Sequence, residues 1–211
     1  MRVDALIKKM TLKEKVSFFV GYDDWQTRAI DRLGIPPLRV TDGPHGTRFV
    51  TVENKEEDVG LPATCFPTAS AMAATWNIDL ISQVGVALGI ETKAKGAHIL
   101  LGPAVNIHRT PLGGRNFEYF SEDPYLSGRL AVAYIKGIQS QGVGVSIKHY
   151  ACNNSEYERM TISSELDERV LREIYLPAFR AAVLEANPWT VMCSYNKING
   201  TYASENYYLL T

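Results

Sequence analysis

The chain has 211 residues, enough for one domain or for part of a larger one, and 45% of them are hydrophobic while 21% are charged. Its 22 basic residues nearly balance its 23 acidic residues, and no Lys/Arg block stands out, which argues against nucleic-acid binding. No apolar run is long enough to cross a bilayer, so a membrane protein is also not expected. These features are typical of a soluble globular protein with a neutral partner.

Residues 1–10 are polar and amphipathic and lack the apolar core of a signal peptide, which favours a cytoplasmic location. Cys65, Cys152 and Cys193 are an odd count without Cys-x-x-Cys spacing, which fits reduced and mostly buried thiols. The four histidines show neither His-x-His nor His-Glu-x-x-His spacing. Neither a metal nor another cofactor is therefore expected.

The first predicted elements are a short helix and a strand that ends at a carboxylate. Thr11 and Glu14 have the spacing of a capping box, so a helix is predicted to begin at Thr11 and to pack outside the main sheet. Apolar residues then lead to Asp42, and the Gly-Pro pair that follows it stops a strand there. A polar loop at residues 52–59 separates this strand from a second predicted strand at residues 66–74.

After residue 74 the pattern becomes regular. Three strands are predicted, at residues 97–101, 143–147 and 189–195. A helix capped by Asn77 and ended by Gly96 precedes the first of them, and a helix begun by Asp123 and ended by Gly142 precedes the second. A helix opened by Asp167 and bent at Pro177 precedes the third, and a long irregular stretch occupies residues 102–122. The stretch at 102–122 is too long for a simple connection and is expected to carry function.

Alternation of strands and helices about every thirty to forty residues implies parallel strands with helices outside them. No Gly-x-Gly-x-x-Gly follows the first strand, so a dinucleotide-binding fold has no support. A (β/α)8 barrel needs eight strands and about 250 residues, whereas about five strands are predicted here. We therefore expect an α/β fold in which residues 1–211 form a partial (β/α)8 TIM-barrel-like domain, about the first five βα units, that cannot close by itself.

Parallel strands would bring several polar side chains to one edge of the sheet. Asp42, Lys148, His149 and Tyr195 follow predicted strands, and Arg115 lies in the long irregular stretch. One acid, several donors and a phenol suit a sugar, because hydroxyl groups need paired donors and acceptors and a carboxylate can accept from two of them.

Each of these residues also has a purely structural interpretation. Asp42 could cap a turn, Lys148 could be a surface charge, and His149 could be a satisfied core histidine. Arg115 could pair with Glu118, and Tyr195 could simply pack. The convergence of all five is what favours a binding site.

Six separated segments carry a resemblance to a known family. They are residues 40–48, 102–103 with Asn106, 113–124, 147–150, 153–156 and 192–200. In this order, and over nearly the whole chain, they resemble the N-terminal catalytic barrel of glycoside hydrolase family 3. The resemblance is specific because several independent motifs agree.

The resemblance implies that Asp42 holds the outer hydroxyls of a sugar in the first subsite. It places further side chains in the same pocket, namely Arg115, Lys148, His149, Tyr195, Arg159 and Met192. It also implies a retaining enzyme with an aspartate nucleophile and a glutamate acid/base about 5 Å apart. In the family the nucleophile lies in a Ser-Asp-Trp-like motif after the next strand, and the acid/base lies on a following domain. Both are expected beyond Thr211, so no catalytic residue is expected here and the isolated chain is predicted to be inactive.

Residues 42–44 resemble the glucosidase form of the family, whereas xylosidase-like members carry a Glu-containing variant there. The expected function is that of a β-glucosidase acting on terminal non-reducing β-D-glucosyl residues, with the remaining barrel and an α/β domain supplied on the same or another chain. The alternatives are a non-catalytic sugar-binding module and a β-xylosidase-like specificity. Because an open barrel leaves an unpaired strand edge, the isolated chain is expected to be unstable or to associate, a homo-oligomer included.

Overall fold

The structure is a computed structural model that describes residues 3–48 and 61–211, so the loop predicted at residues 52–59 lies outside the described residues. Its helices are α1 (Val3–Lys9), α2 (Leu12–Ser17), α3 (Ala69–Ala73), α4 (Ile78–Ala94), α5 (Pro124–Gln139), α6 (Glu168–Val170), α7 (Pro177–Ala186) and α8 (Tyr207–Leu210). Its strands are β1 (Val40–Thr41), β2 (Ile99–Leu100), β3 (Gly144–Tyr150), β4 (Ser163–Ser164), β5 (Thr190–Cys193), β6 (Lys197–Ile198) and β7 (Thr201–Tyr202).

The main sheet has four strands in the order β1-β2-β3-β5, and every neighbouring pair is parallel. Helix α4 connects β1 to β2 in the chain order, α5 connects β2 to β3, and α7 precedes β5. The helices α4 and α5 pack together, as do α5 and α7. This arrangement confirms the predicted partial (β/α)8 barrel.

The predicted helix starts are confirmed because each depends on a local hydrogen bond. Thr11 Oγ1 accepts from the Glu14 backbone N–H at 3.2 Å, and the Glu14 carboxylate accepts from the Thr11 N–H at 2.7 Å. The side chains of Asn77, Asp123 and Asp167 each accept from the backbone N–H three residues later, at 2.6–2.9 Å. As predicted, α2 contributes no residue to the core.

The strand predicted at residues 66–74 is wrong, because this segment contains helix α3. Ala69, Met72 and Ala73 are buried and have the three-four spacing of one helical face. The small residues that weaken a strand are good helix formers, and Pro67 lies before the helix, where its missing N–H costs nothing. The main sheet consequently has four strands instead of the expected five.

The helix predicted after Asp167 is interrupted where Pro177 was expected to bend it. Helix α6 is followed by a π-helical turn at Leu171–Tyr175, in which the Leu176 N–H donates to the Leu171 carbonyl at 2.9 Å. Helix α7 then begins at Pro177. Because proline has no backbone N–H, it is suited to the first position of a new helix.

The core lies between the sheet and helices α4, α5 and α7. It contains Ile81, Leu88, Leu100, Leu130, Tyr134, Ile138, Val145, Ile147 and Ala182. Two glycines let α4 and α5 approach closely. A Cβ on Gly85 would lie 2.6 Å from the Tyr134 carbonyl oxygen, and a Cβ on Gly137 would overlap the Ser82 carbonyl. The two helices are therefore in direct backbone contact at these positions.

Gly137→Ala is expected to lower the free energy of unfolding by about 1–3 kcal/mol, because the added methyl group must push two packed helix backbones apart. Urea unfolding followed by circular dichroism measures the change. Gly114→Ala is the control, since its Cβ would meet only the flexible Glu156 side chain at 3.5 Å. Equal stability of Gly137→Ala and the control variant would show that the α4–α5 contact is looser than the structure indicates.

Strand β3 contains a bulge at its carboxyl end. Lys148 pairs with Met192 and Tyr150 pairs with Cys193, so His149 is one extra residue on this strand. In a regular strand, consecutive side chains point to opposite faces. The bulge removes this alternation, which is how both Lys148 and His149 reach the same side of the sheet.

A small second sheet was not predicted. It has the order β4-β6-β7, with β6 and β7 antiparallel. The hairpin between β6 and β7 turns at Asn199 and Gly200, whose φ angles are 48° and 84°. An Asn-Gly pair is a strong signal for such a turn, because both positions need positive φ. The signal was present in the sequence and was missed.

Strand β5 lies at the edge of the main sheet, next to an apolar cavity of about 820 Å³. The walls include Phe179, Val183, Leu184 and Val191, which come from α7 and β5. Val183 and Leu184 are 50% and 66% exposed, although both are aliphatic. This surface has the character of a core without its covering layer.

The isolated 211-residue chain is expected to self-associate, because none of the described residues covers the edge of β5 or the apolar surface beside it. Analytical ultracentrifugation at several concentrations should show species larger than the monomer. Val183→Lys together with Leu184→Glu should reduce this association, since charged side chains block an apolar contact. A sharply melting monomer at all concentrations would contradict the expectation.

Candidate functional site

A cavity of about 640 Å³ opens at the carboxyl ends of β1, β3 and β5. We call it the strand-end cavity. Its walls include all seven residues that the sequence predicted for the site, namely Asp42, Arg115, Lys148, His149, Arg159, Met192 and Tyr195. In parallel α/β folds this edge of the sheet is where ligands bind. The structure thus brings together residues that are up to 153 positions apart, from 42 to 195.

Asp42 lies immediately after β1 and has two cationic partners. Its Oδ1 accepts from Lys148 Nζ at 2.9 Å, and its Oδ2 accepts from Arg48 Nη2 at 2.7 Å. Burial alone would raise the pKa of Asp42, but the nearby Lys148 and the hydrogen bonds from both cations lower it to about 2. Asp42 is therefore ionised at neutral pH and is a pure acceptor.

Lys148 and Arg115 share a second carboxylate, that of Glu118. Lys148 Nζ lies 3.3 Å from Glu118 Oε2, and Arg115 Nε donates to Glu118 Oε1. Lys148 and Glu118 are almost completely buried, with side chains 3% and 5% exposed. A surface role for Lys148 is thereby excluded. Arg115 does pair with Glu118, as its structural interpretation predicted, and it also lies in the cavity wall.

The ion pairs continue beyond Arg115. Its Nη1 lies 3.8 Å from Glu156 Oε1, and Glu156 Oε2 accepts from Arg159 Nη1 at 3.1 Å. The guanidinium of Arg159 lies over the ring of Tyr195, 5.4 Å from its centroid. Tyr195 is 48% exposed, so simple core packing does not explain its position.

Together these contacts form one continuous chain of alternating charges, which we call the ion-pair chain. Its members are, in order, Arg48, Asp42, Lys148, Glu118, Arg115, Glu156 and Arg159. With four cations and three carboxylates it carries an excess positive charge of one. A chain of this kind holds each member between its two ends from two sides, which fixes donors and acceptors around the cavity before any ligand binds.

His149 is neutral and buried beside Arg115. Its Nε2 lies 2.9 Å from Arg115 Nη2, and its Nδ1 lies 3.1 Å from the side-chain oxygen of Asn106. Burial and the charges of Arg115 and Lys148 lower the pKa of His149 to about 2. His149 therefore accepts from Arg115 in the cavity wall without adding charge.

The rest of the wall is apolar or aromatic. Trp25, Phe117 and Met192 line the cavity, and the His45 ring meets Phe117 edge to face with centroids 5.7 Å apart. Burial lowers the pKa of His45, so this imidazole is also held neutral. Apolar walls with a few fixed polar groups are the usual composition of a small-molecule site.

Within residues 3–48 and 61–211, no three His, Cys, Asp or Glu side chains are grouped in a way that could hold a metal ion. Across the same residues, no helix combines the length and the apolar character needed to traverse a bilayer. All three cysteines are free thiols. Cys152 is buried and Cys193 is half-buried, but Cys65 is exposed, so the expectation of buried thiols is met at two of the three positions.

A sequence profile described as "Glycosyl hydrolase family 3 N terminal domain" matches residues 20–211. The chain belongs to glycosyl hydrolase family 3. Within this family it is 54% identical, over 211 residues, to the thermostable beta-glucosidase B of Acetivibrio thermocellus. It is 48% identical over 208 residues to the exo-alpha-(1->6)-L-arabinopyranosidase of Bifidobacterium longum. These alignments cover 99% and 97% of this chain, and 28% of each relative.

The solved structures give the same family. The beta-glucosidase 3B of Thermotoga neapolitana in complex with alpha-D-glucose superposes on the whole chain with a TM-score of 0.94 at 42% identity. The superposition covers 100% of this chain and 32% of that protein. The family 3 chain described here thus spans about a third or less of the length of the proteins that it matches.

Sequence reasoning did not assign a role to several residues of this family 3 site. Glu118 was considered only as a partner of Arg115, and Asn106 only as part of a motif. Arg48, Glu156 and Trp25 were not singled out. Nothing local in the sequence identifies these residues, because their contacts with Asp42, Lys148 or His149 depend on how distant segments meet.

Proposed function

We propose that residues 1–211 supply most of the glycone-binding subsite of a β-glucosidase, which hydrolyses terminal non-reducing β-D-glucosyl residues. The observation that carries this proposal is the strand-end cavity, in which the seven predicted side chains meet around one ion-pair chain. The domain assignment is part of the proposal: this chain is the N-terminal portion of a family 3 catalytic barrel, and the remaining barrel and the following α/β domain are not included in it.

The cavity offers a glucosyl ring both acceptors and donors. Each carboxylate oxygen of Asp42 uses one lone-pair direction for Lys148 or Arg48 and has another for a sugar hydroxyl. Lys148 and Arg115 have N–H donors, and the phenol of Tyr195 can donate or accept a hydrogen bond. Two adjacent hydroxyls on one carboxylate make charge-assisted hydrogen bonds, which are about twice as strong as neutral ones.

The catalytic carboxyl groups would come from the rest of the protein. A retaining glycosidase places its nucleophile and its acid/base about 5–5.5 Å apart on either side of the scissile bond. The excess positive charge of the ion-pair chain suits an additional carboxylate at its border, because nearby cations favour the ionised form that a nucleophile needs. The role of this chain is then to hold the sugar ring still beside that nucleophile.

Two pyranosidase specificities compete with the glucosidase assignment. Relatives at 48% identity are named exo-alpha-(1->6)-L-arabinopyranosidase, and a pentopyranose lacks the hydroxymethyl group of glucose. A β-xylosidase-like specificity is the alternative that the sequence left open. A non-catalytic sugar-binding role is the third alternative, and it predicts binding without turnover.

A chimera with a family 3 relative tests the proposal. The matched 211-residue segment of the Acetivibrio thermocellus protein is replaced by this chain, and aryl β-D-glucoside, β-D-xyloside and α-L-arabinopyranoside are assayed in parallel. We expect the glucoside to be hydrolysed with the highest kcat/KM, because residues 42–44 resemble the glucosidase form. The isolated chain should release no glucose, since the proposal assigns both catalytic carboxyl groups to the rest of the enzyme.

Three results would contradict this proposal. A soluble, folded chimera that hydrolyses none of the substrates would contradict the proposed glycosidase activity. A higher kcat/KM for the xyloside or the arabinopyranoside than for the glucoside would contradict the proposed specificity for glucose. Saturable sugar binding without turnover in a chimera that retains both catalytic carboxyl groups would favour the non-catalytic role.

Three further features belong to this proposal. Cellobiose, which ends in a β-D-glucosyl residue, is one natural disaccharide that fits the proposed activity. Three free thiols agree with a cytoplasmic location, which cell fractionation can test. The uncovered edge of β5 agrees with assembly, either with the remainder of the enzyme or as a homo-oligomer.

A further inference from the structure

The Asn106 side chain forms hydrogen bonds with both the backbone and the side chain of His149. Its Oδ1 accepts from the His149 backbone N–H at 2.9 Å, and its Nδ2 donates to the His149 carbonyl at 3.0 Å. Both residues are buried, with Asn106 and His149 each 3% exposed. The two backbone contacts define which end of the amide is oxygen, because an N–H cannot donate to another N–H.

This orientation determines the position of the His149 proton. Asn106 Oδ1 also lies 3.1 Å from His149 Nδ1, and an amide oxygen can only accept, so Nδ1 must carry the hydrogen. On the other side of the ring, Arg115 Nη2 lies 2.9 Å from Nε2, and a guanidinium can only donate. A neutral imidazole with its proton on Nδ1 and its lone pair on Nε2 satisfies both contacts.

We propose that Asn106 is a positioning residue that keeps the proton of His149 on Nδ1, so that the Nε2 lone pair accepts from Arg115 and holds this guanidinium in the wall of the strand-end cavity. The polar wall around Lys148 and Arg115 is rich in donors, and His149 supplies an uncharged acceptor among them. Because Nε2 has one lone pair and Arg115 Nη2 donates to it, the neutral His149 orients the Arg115 guanidinium, which lines the strand-end cavity. The expected effect on glucoside hydrolysis rests on the proposed function, whereas the tautomer of His149 does not.

The groups that face His149 all bear on its protonation. Arg115, Lys148 and Arg159 disfavour a second proton, whereas Asp42 favours it, and burial of the ring opposes it. The Tyr119 ring packs edge to face against the imidazole, with centroids 6.2 Å apart. Asn106 is the neutral acceptor among these groups, and a carboxylate in its place would change the balance. Asn106→Asp is therefore the informative substitution.

The test uses the chimera with 15N-labelled histidine in residues 1–211 only, prepared by ligating the labelled segment to the unlabelled remainder. Four histidines are then visible, and replacing each in turn by Gln assigns them. Two-bond 1H–15N spectra report which ring nitrogen carries the proton. For wild type we expect the proton on Nδ1 of His149 and no second proton down to pH 4. For Asn106→Asp we expect the pKa of His149 to rise by about 1–3 units, because the new carboxylate stabilises the imidazolium.

Asn77→Asp is the matched control, because it introduces the same charge at a distant helix cap where Asp caps as well as Asn. In Asn106→Asp, kcat/KM for an aryl β-glucoside should fall by up to about tenfold more at pH 4 than at pH 8, because a His149 pKa raised from about 2 to about 5 leaves most of this ring protonated at pH 4. The control should show no such pH dependence. Wild-type His149 with its proton on Nε2, or an unchanged His149 pKa in a folded Asn106→Asp variant, would overturn the proposal. If the chimera is inactive but His149 shows the expected tautomer, the proposed function fails and this inference stands.

Discussion

Glu118→Gln is expected to lower the free energy of unfolding by about 3–5 kcal/mol, because it removes one charge from a buried ion pair and leaves Lys148 and Arg115 close together without it. Both cations contact Glu118, and the Lys148 and Glu118 side chains are at most 5% exposed. Gln has nearly the same shape as Glu, so the change tests the charge and not the packing. Urea unfolding of the chimera, followed by tryptophan fluorescence, measures the loss.

Glu185→Gln is the control for this experiment. Glu185 also pairs with an arginine, Arg129, but its side chain is 44% exposed. Surface pairs contribute about 0–1 kcal/mol, so the control should be nearly as stable as wild type. A loss for Glu118→Gln as small as that of the control would mean that the centre of the ion-pair chain is well hydrated, which the structure does not indicate.

Asp42→Asn is expected to lower kcat/KM for an aryl β-glucoside by about 10²- to 10⁴-fold. Hydrogen bonds to a charged group contribute about 1.5–3 kcal/mol each, and the proposal gives Asp42 two sugar hydroxyls. The pKa of about 2 means that Asp42 is already a carboxylate across the whole working pH range. The loss should therefore be the same at pH 5 and at pH 8.

Two controls separate binding by Asp42 from general damage. Asp79→Asn, in the exposed first turn of α4, should change kcat/KM less than twofold. On a deoxy-glucoside that lacks the hydroxyl held by Asp42, the loss caused by Asp42→Asn should become much smaller. A loss of equal size on every deoxy-glucoside would show that Asp42 supports the fold of the cavity without contacting the sugar.

Features that depend on neighbouring residues were predictable from the sequence. The helix starts at Thr11, Asn77, Asp123 and Asp167 each rest on a side chain that reaches a backbone N–H three residues away. The parallel order of the strands followed from the alternation of strands and helices. The Asn199-Gly200 turn belonged to the same predictable class, and only its significance was overlooked.

Features that depend on distant residues were not predictable in the same way. Helix α3 consists of small residues whose hydrophobic pattern is ambiguous over five positions, and burial against the core decides its conformation. Glu118 meets Lys148 across 30 positions of the chain, and Asn106 meets His149 across 43. Asp42, Lys148, His149 and Tyr195 were named because they follow predicted strands, and Arg115 because it lies in the long irregular stretch. The resemblance added Arg159 and Met192. Their supporting carboxylates and amides became visible only when the segments were brought together.

A crystal structure of the chimera with glucose bound tests the proposed sugar-binding site most directly. We expect one glucose ring in the strand-end cavity, with two adjacent hydroxyls on the Asp42 carboxylate, with Lys148 and Arg115 in hydrogen-bond contact with the ring, and with His149 accepting from Arg115. Glucose bound elsewhere, or bound in the cavity without a contact to Asp42, would contradict it.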